Sequence, residues 1–185
     1  MKKVRYVAIA SVLLAALVAF PWPAGGQQQK RASPHERIYT RVGGKLVSVA
    51  YGRPNAKDRK IWGALVPWDK AWRAGSDEAT TLLTEVPLAF GDTTIPAGAH
   101  TLYLVPSEKG TTKLAFSKTL GKWGIPVDEK NDTARVDMKK ETLDKAVDQF
   151  TITIDVKDKK DKGSPAVIKL AWETTAFTAE FSAKK

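Results

Sequence analysis

The feature that most constrains the fold is an alternation of apolar and polar residues in the second half of the chain. DQFTITIDVK (148–157), PAVIKLAWE (165–173) and FTAEF (177–181) each repeat with a period of two. Successive side chains of a β-strand point to opposite faces, so this period predicts strands with one buried and one solvated face. The predicted inward residues are Phe150, Ile152, Ile154, Val156, Ala166, Ile168, Leu170, Trp172, Phe177, Ala179 and Phe181.

The rest of the chain also has the character of short strands separated by turns. RIYTRV and KLVSVAY flank Gly43 and Gly44, which predicts a two-residue hairpin. Further apolar runs are bounded by Gly, Pro or Asp, and only KETLDKAVDQ (140–149) suggests one or two helical turns. About eight to ten strands at this spacing predict an all-β fold, a single antiparallel β-sandwich or jelly-roll-like domain.

The N-terminus predicts an exported protein. Three basic residues precede an apolar run at 7–20, and PWPAGG and a polar QQQ follow. This order is typical of a secretory signal peptide, here residues 1–26, and the run is too short for a spanning helix. Residues 27–33 then form a flexible leader and 34–182 the β-sandwich domain. We expect a periplasmic or extracellular protein without a transmembrane span after cleavage; an uncleaved anchor is the alternative.

Composition narrows the chemistry and the partners. The chain has no cysteine, and its two histidines, His35 and His100, have no ligand spacing, so we expect no metal site and no cofactor. The formal net charge is +10. In an exported protein that charge points away from nucleic acid and toward a glycan, a small anionic ligand or an envelope protein. Scattered lysines are also typical of simple solubility, and the sequence leaves the oligomeric state open.

One long connection, residues 51–80, interrupts the strands and is rich in Trp and Arg. Long loops in compact domains are often functional. Trp62, Trp68 and Trp72 could stack on sugar rings, but a plug that seals the end of the core is the favoured interpretation.

The arginines of this connection, Arg53, Arg59 and Arg73, could clamp a carboxylate or phosphate through paired N–H donors. Pairing with the acids nearby in the sequence is the favoured alternative, since a desolvated guanidinium needs a partner. Those acids are Asp58, Asp69, Asp77 and Glu78.

Catalysis receives less support. Asp77 and Glu78 are adjacent, so within a strand they would point to opposite faces and could not act as an acid–base pair. A hydrolytic pair would need another carboxylate, such as Asp58 or Glu173, at a suitable separation. The sequence has no nucleophile elbow and no phosphate-binding glycine loop.

The motifs together resemble an exported bacterial family, domain of unknown function 2911. In order they are YGRPNAKDRKIWGALVPWDKAWRAGSDEAT, IPAGAHTLYLVP, GKWG, DTARVDM and LAWETTAF, over roughly 33–181. The resemblance implies an exported single domain, a β-sandwich, and no known reaction. The chain departs from the family pattern at Asp77, where an amide is usual, at His100, where an aromatic is usual, and at Asp58, where Gly is common.

We therefore interpret AWRAGSDEAT (71–80) first as a structural knot, second as a ligand clamp and third as a reaction centre. Arg73 and Glu78 are predicted to pair across the Gly75 turn, and Arg53 could join them around a small polar cleft. The candidate ligand-binding residues are Arg53, Arg59, Trp72, Arg73, Asp77, Glu78 and Tyr103. The predicted function is a non-catalytic binding or structural module of the cell envelope; the alternative is a carboxylate-dependent hydrolase of envelope or extracellular carbohydrate.

Overall fold

The computed structural model describes residues 31–161 and 163–184, and the predicted signal peptide lies outside them. These residues form nine strands and one 3-10 turn, Glu129–Asn131. Within the described part of the chain, no helix is long and apolar enough to cross a membrane. The strands are β1 (His35–Val42), β2 (Lys45–Gly52), β3 (Thr81–Thr84), β4 (Leu88–Phe90), β5 (Thr93–Ile95), β6 (Gly98–Val105), β7 (Thr112–Ser117), β8 (Asp132–Val156) and β9 (Ala166–Ala183).

All nine strands belong to one antiparallel sheet, in the order β1-β2-β3-β6-β7-β8-β9-β4-β5. The long strand β8 links its two parts, because its first residues pair with β7 and its later ones with β9. Register shifts between Thr142 and Val147 and between Val147 and Thr151 interrupt the second pairing, and such irregularities bend a strand. The predicted all-β antiparallel class is confirmed; the hydrogen bonds form one continuous bent sheet rather than two separate ones.

The inner faces of the sheet share one core. The residues that period-two alternation predicts to face inward are buried in β8 and β9, including Phe150, Ile152, Ile168, Leu170 and Trp172. Only Ile154 and Val156 are half-buried, and both pack against the same core cluster. The alternation therefore identified the buried face of this half correctly, and burial of that face is the main stabilising contribution that the sequence encodes there.

The local turn chemistry follows the sequence in one place and departs from it in another. Gly43 and Gly44 join β1 to β2 with φ of 63° and 78°, the left-handed conformations that a two-residue hairpin turn requires. The predicted helical turn at 140–149 is wrong, because these residues continue β8. Their backbone pairs with β9 on both sides of a bulge, and this ladder outweighs a weak helical pattern in a mostly exposed segment.

The connection 53–80 is fastened along the sheet rather than free of it. Trp72 and Leu104 exchange two backbone hydrogen bonds of 2.7 Å, which adds a short bridge at the side of β6. Near the start of the connection, Ala56 N donates to Asp148 O at 2.7 Å. The backbone of this long loop is thus tied to β6 and β8, which fixes the side chains that it carries.

The Tyr51 hydroxyl joins β2 to β8 inside the core. It contacts Glu36 Oε2 at 2.9 Å and accepts the Ile152 N–H at 2.9 Å. Burial is the main reason why the pKa of Tyr51 rises to about 12. This hydroxyl thus satisfies a buried backbone donor that would otherwise have no partner.

We expect Tyr51→Phe to lower the free energy of unfolding by about 1–3 kcal/mol, because the Ile152 N–H then loses its acceptor in the core. Urea unfolding followed by tryptophan fluorescence measures the change. Tyr39→Phe is the matched control, since Tyr39 is 76% exposed on β1. Equal unfolding midpoints for the two variants would contradict this role of the hydroxyl.

Candidate functional site

The stretch 71–80 forms a tight turn against the end of β2. A Cβ placed on Gly52 would lie 2.2 Å from Ser76 O, so only glycine allows the two backbones to approach this closely. Thr80 Oγ1 donates to Ala74 O at 2.7 Å and closes the turn from within. Ala74 is fully buried with φ of 50°, a left-handed conformation that a residue with a Cβ rarely adopts. The packing of the turn therefore determines its backbone conformation.

Asp77 uses its carboxylate to hold the chain that precedes β1. Its two oxygens accept the N–H groups of Ala32 at 3.0 Å and Ser33 at 3.1 Å, and the residue is only 4% exposed. Burial by itself would raise the pKa of Asp77, but these two hydrogen bonds and the nearby His35 outweigh burial and hold that pKa below its ordinary value. Asp77 therefore fixes residues 32 and 33, which the sequence placed in a flexible leader.

Glu78 does not pair with Arg73 as the sequence predicted. Its carboxylate contacts Arg31 Nε at 2.8 Å and His35 Nε2 at 3.0 Å. Asp77 Oδ2 lies 3.5 Å from the same His35 nitrogen. The two acids converge because they precede β3 in a turn, where Asp77 has φ of 62°, so the alternation of a strand does not apply to them. Both partners lie over 40 residues away, beyond the reach of local pairing rules.

Two further candidate residues are also engaged in the scaffold. Arg53 binds Glu36 at 3.0 Å and donates to Thr151 Oγ1 at 2.8 Å. The Tyr103 hydroxyl contacts Asp132 Oδ2 and accepts from Arg135 Nη2 at 2.8 Å. Burial, together with the Asp132 carboxylate, raises the pKa of Tyr103. Arg53 and Tyr103 thus hold strands together and neither meets Glu78, although Tyr103 lines a cavity of about 630 Å³ together with Arg73.

The Trp residues of the connection pack mainly on one another and on the core. Trp62 is 7% exposed and its ring stacks on Trp68 at 6.1 Å. Trp72 stacks on Trp172 at 5.7 Å and meets Phe150 edge to face at 5.0 Å. These contacts form the plug that the sequence favoured, so little of the ring faces remains for a flat ligand.

Arg73 differs from Arg31, Arg53 and Arg135 because no carboxylate contacts it in the described part of the chain. Its Nε donates to Gly75 O at 3.4 Å, and Nη1 is buried with no hydrogen-bond partner in the described structure. Burial lowers the pKa of Arg73, and the charge of Asp77 opposes that effect. A buried donor without an acceptor costs free energy, so this guanidinium can be stabilised by an added acceptor.

Arg73 lies at a cleft of about 590 Å³, which we call the basic cleft. Lys57 and Arg59 also line it, and Trp72 and Trp172 supply apolar surface. No carboxylate is among its lining residues over 31–161 and 163–184. Arg59 donates to the carbonyls of residues 55 and 56 at 2.7 and 2.9 Å, and these bonds leave the rest of its donor fork available. The cleft therefore concentrates positive charge in a concave, partly apolar surface.

A family model described as a protein of unknown function (DUF2911) matches residues 33–181. The chain belongs to this family. Searches of curated proteins and of solved structures gave no match. For this DUF2911 protein, chemistry therefore has to be inferred from the residues that the fold assembles.

The structure divides the seven candidate residues into two groups. Arg59, Trp72 and Arg73 line the basic cleft, whereas Arg53, Asp77, Glu78 and Tyr103 belong to supporting networks, and Tyr103 also lines a neighbouring cavity with Arg73. Sequence reasoning missed Lys57, although it lies in the same connection, and it treated His35 as isolated. A count of all basic residues in the connection would have included Lys57, but no sequence signal places His35 beside Asp77.

We expect Asp77→Asn to destabilise the protein by about 1–2 kcal/mol at pH 7, because an amide offers one acceptor where two N–H groups require two. Chemical unfolding measures the loss. Asp92→Asn, on the exposed turn between β4 and β5, is the control and should have no effect.

The contribution of Asp77 to stability should also depend on pH. A carboxylate whose pKa is depressed by folding stabilises the protein above its unfolded pKa of about 3.9, and that contribution is lost as the pH falls through the lower folded value. The difference in stability between the parent protein and Asp77→Asn should therefore shrink as the pH is lowered below about 4. A difference that stays constant down to pH 2 would show that the Asp77 charge contributes nothing.

Proposed function

We propose that this DUF2911 protein is a non-catalytic binding module whose basic cleft holds a small organic anion through a carboxylate or phosphate. The buried, unpartnered Nη1 of Arg73 carries the proposal. Arg59 and Lys57 line the same cleft with no carboxylate among its described lining residues. Guanidinium forks match planar oxyanions in geometry as well as charge, and hydrogen bonds of this kind are stronger than neutral ones.

The surroundings of Arg73 favour a bound anion over an internal salt bridge. Glu78 is already shared between Arg31 and His35, and both Asp77 oxygens accept backbone N–H groups. Neither acid can turn to Arg73 without abandoning those contacts. An incoming oxyanion would satisfy the guanidinium while leaving the scaffold intact, and the concave wall would exclude part of the water that competes for it.

The other ligand classes receive less support from the same residues. A neutral glycan would need exposed aromatic faces, and Trp62, Trp72 and Trp172 turn theirs largely toward one another and toward Phe177 or Phe150. A hydrolase would need two carboxylates facing a substrate. Glu173 instead accepts the Ile61 N–H at 3.2 Å. We therefore do not propose carbohydrate hydrolysis.

The place of action is part of the proposal. The basic start, apolar run and small residues of 1–26 support export, and hence a periplasmic or extracellular ligand. Small anions released from envelope or medium components suit this location.

We expect inorganic phosphate and acetate to bind, with affinities that fall as salt increases, because exposed charges are screened. Titration calorimetry measures both, with glucose as the neutral comparison. Arg59→Gln and Lys57→Gln remove charge while keeping side-chain donors, and Arg59→Gln should weaken phosphate binding about tenfold.

Arg37→Gln is the matched control, because Arg37 is exposed on β1 and does not line the basic cleft. Circular dichroism checks that each variant remains folded. Binding of glucose without phosphate or acetate would refute the proposal, as would equal phosphate affinities for Arg59→Gln and Arg37→Gln.

A further inference from the structure

A second cavity adjoins Arg73. It measures about 630 Å³ and we call it the apolar cavity. Much of its wall comes from the loop between β7 and the 3-10 turn, with Trp123, Ile125 and Val127, and from Leu102 of β6. Both cavities fall within the range of small-molecule sites in proteins. Anion binding in the basic cleft does not by itself account for the apolar cavity.

The two cavities share two side chains, Arg73 and Ile125. The stem of Arg73 packs on the loop at Gly124, where an added Cβ would lie 3.0 Å from Arg73 Cδ. The guanidinium and its stem thus stand between a basic space and an apolar one. A single ligand that contacts both would have a charged group and a hydrocarbon part joined at this point.

Ile125 is the other element of the boundary. It is 60% exposed, although most apolar side chains of its size in this protein are buried. The loop is held at Lys122, whose carbonyl accepts the Ala79 N–H at 3.2 Å, and at Asp128, whose carboxylate accepts from Thr119 at 3.1 Å. Within the described chain, no hydrogen bond joins 123–127 to other residues. Ile125 can therefore cover a ligand chain by side-chain rotation without breaking a backbone bond.

The charges of the apolar cavity indicate which way such a ligand lies. The two acids that line it are already bonded: Asp128 accepts from Asn131 at 2.8 Å, and Glu129 from Arg135 at 2.6 Å. Lys122 and Lys130 line the same wall, so apart from the shared Arg73 the two acids and two lysines of the apolar cavity offset one another, whereas the basic cleft has Lys57 and Arg59 with no carboxylate among its described lining residues. The anionic end is thus directed to the basic cleft and the hydrocarbon end to the apolar cavity.

We infer that the ligand is a single-chain amphiphilic anion, an alkyl carboxylate or the corresponding alkyl phosphate. Its oxyanion binds Arg73 and Arg59, and its chain passes Ile125 to contact Trp123 and Val127. This inference rests on the proposed anion binding and extends it to a ligand class. Free fatty acid and lysolipid share this chemistry, so the monomeric and the membrane-bound forms have to be tested separately.

Titration of the protein with acetate, butyrate, hexanoate and octanoate, all below micelle-forming concentrations, tests the inference. Each methylene buried in the apolar cavity should tighten the Kd by about fourfold. Octanol, which lacks the charge, should bind at least about tenfold more weakly than octanoate. Vesicles with an anionic lipid form the separate membrane arm.

Variants assign the effect to the apolar cavity. Trp123→Ala and Val127→Ala should flatten the dependence on chain length while leaving acetate and phosphate affinity unchanged, because neither residue lines the basic cleft. Leu120→Ala is the matched control, because Leu120 is 45% exposed in the same loop and does not line the cavity. Its dependence on chain length should equal that of the parent protein.

The outcomes separate this inference from the proposed function. Phosphate and acetate binding with no gain from chain length overturns the inference and leaves anion binding intact. Failure of every anion overturns both. Equal affinity for octanol and octanoate, or binding to vesicles without binding to monomeric octanoate, also overturns the inference. A chain-length gain that Trp123→Ala and Val127→Ala abolish and Leu120→Ala retains supports it.

Discussion

The attachment of the long connection to the sheet through Trp72 is the interaction on which the rest of the structure depends. Its ring packs against Phe150 and Trp172, and its backbone exchanges two hydrogen bonds with Leu104. Aromatic burial of this extent supplies a large share of the local stability. The paired backbone hydrogen bonds fix the orientation of the loop along β6. Arg73 follows immediately in the chain, so the same contacts that close the core also place its guanidinium.

The scaffold and the cleft divide the family motifs between them. Most motif residues serve the scaffold: Tyr51 satisfies a buried amide of β8, Trp172 Nε1 donates to Asp148 O at 2.9 Å, and Glu173 holds the connection at Ile61. The DUF2911 sequence pattern is thus largely a description of how a long loop is fixed to a bent sheet. Arg73 is the basic motif residue whose guanidinium keeps a buried donor without a partner in the described structure.

Sequence reasoning succeeded where one physical effect dominates. Burial of one sheet face gives a period-two signal, so Phe150, Ile152 and Trp172 could be placed from the sequence alone. It failed at 140–149, because pairing with β9 decides the conformation of that polar segment. It also failed on the partners of Glu78, since Arg31 and His35 reach it only after β1 has docked. Residue types at the site could be predicted, but contacts set by tertiary structure could not.

The left-handed backbone at Ala74 has a consequence for recognition. A buried residue with a Cβ keeps φ of 50° only because the neighbouring packing leaves no alternative, and such strain costs of the order of 1–3 kcal/mol. That energy is already committed when the chain folds. The guanidinium next to Ala74 is therefore preorganised, so an arriving molecule need not order the loop, and association sacrifices little conformational entropy there.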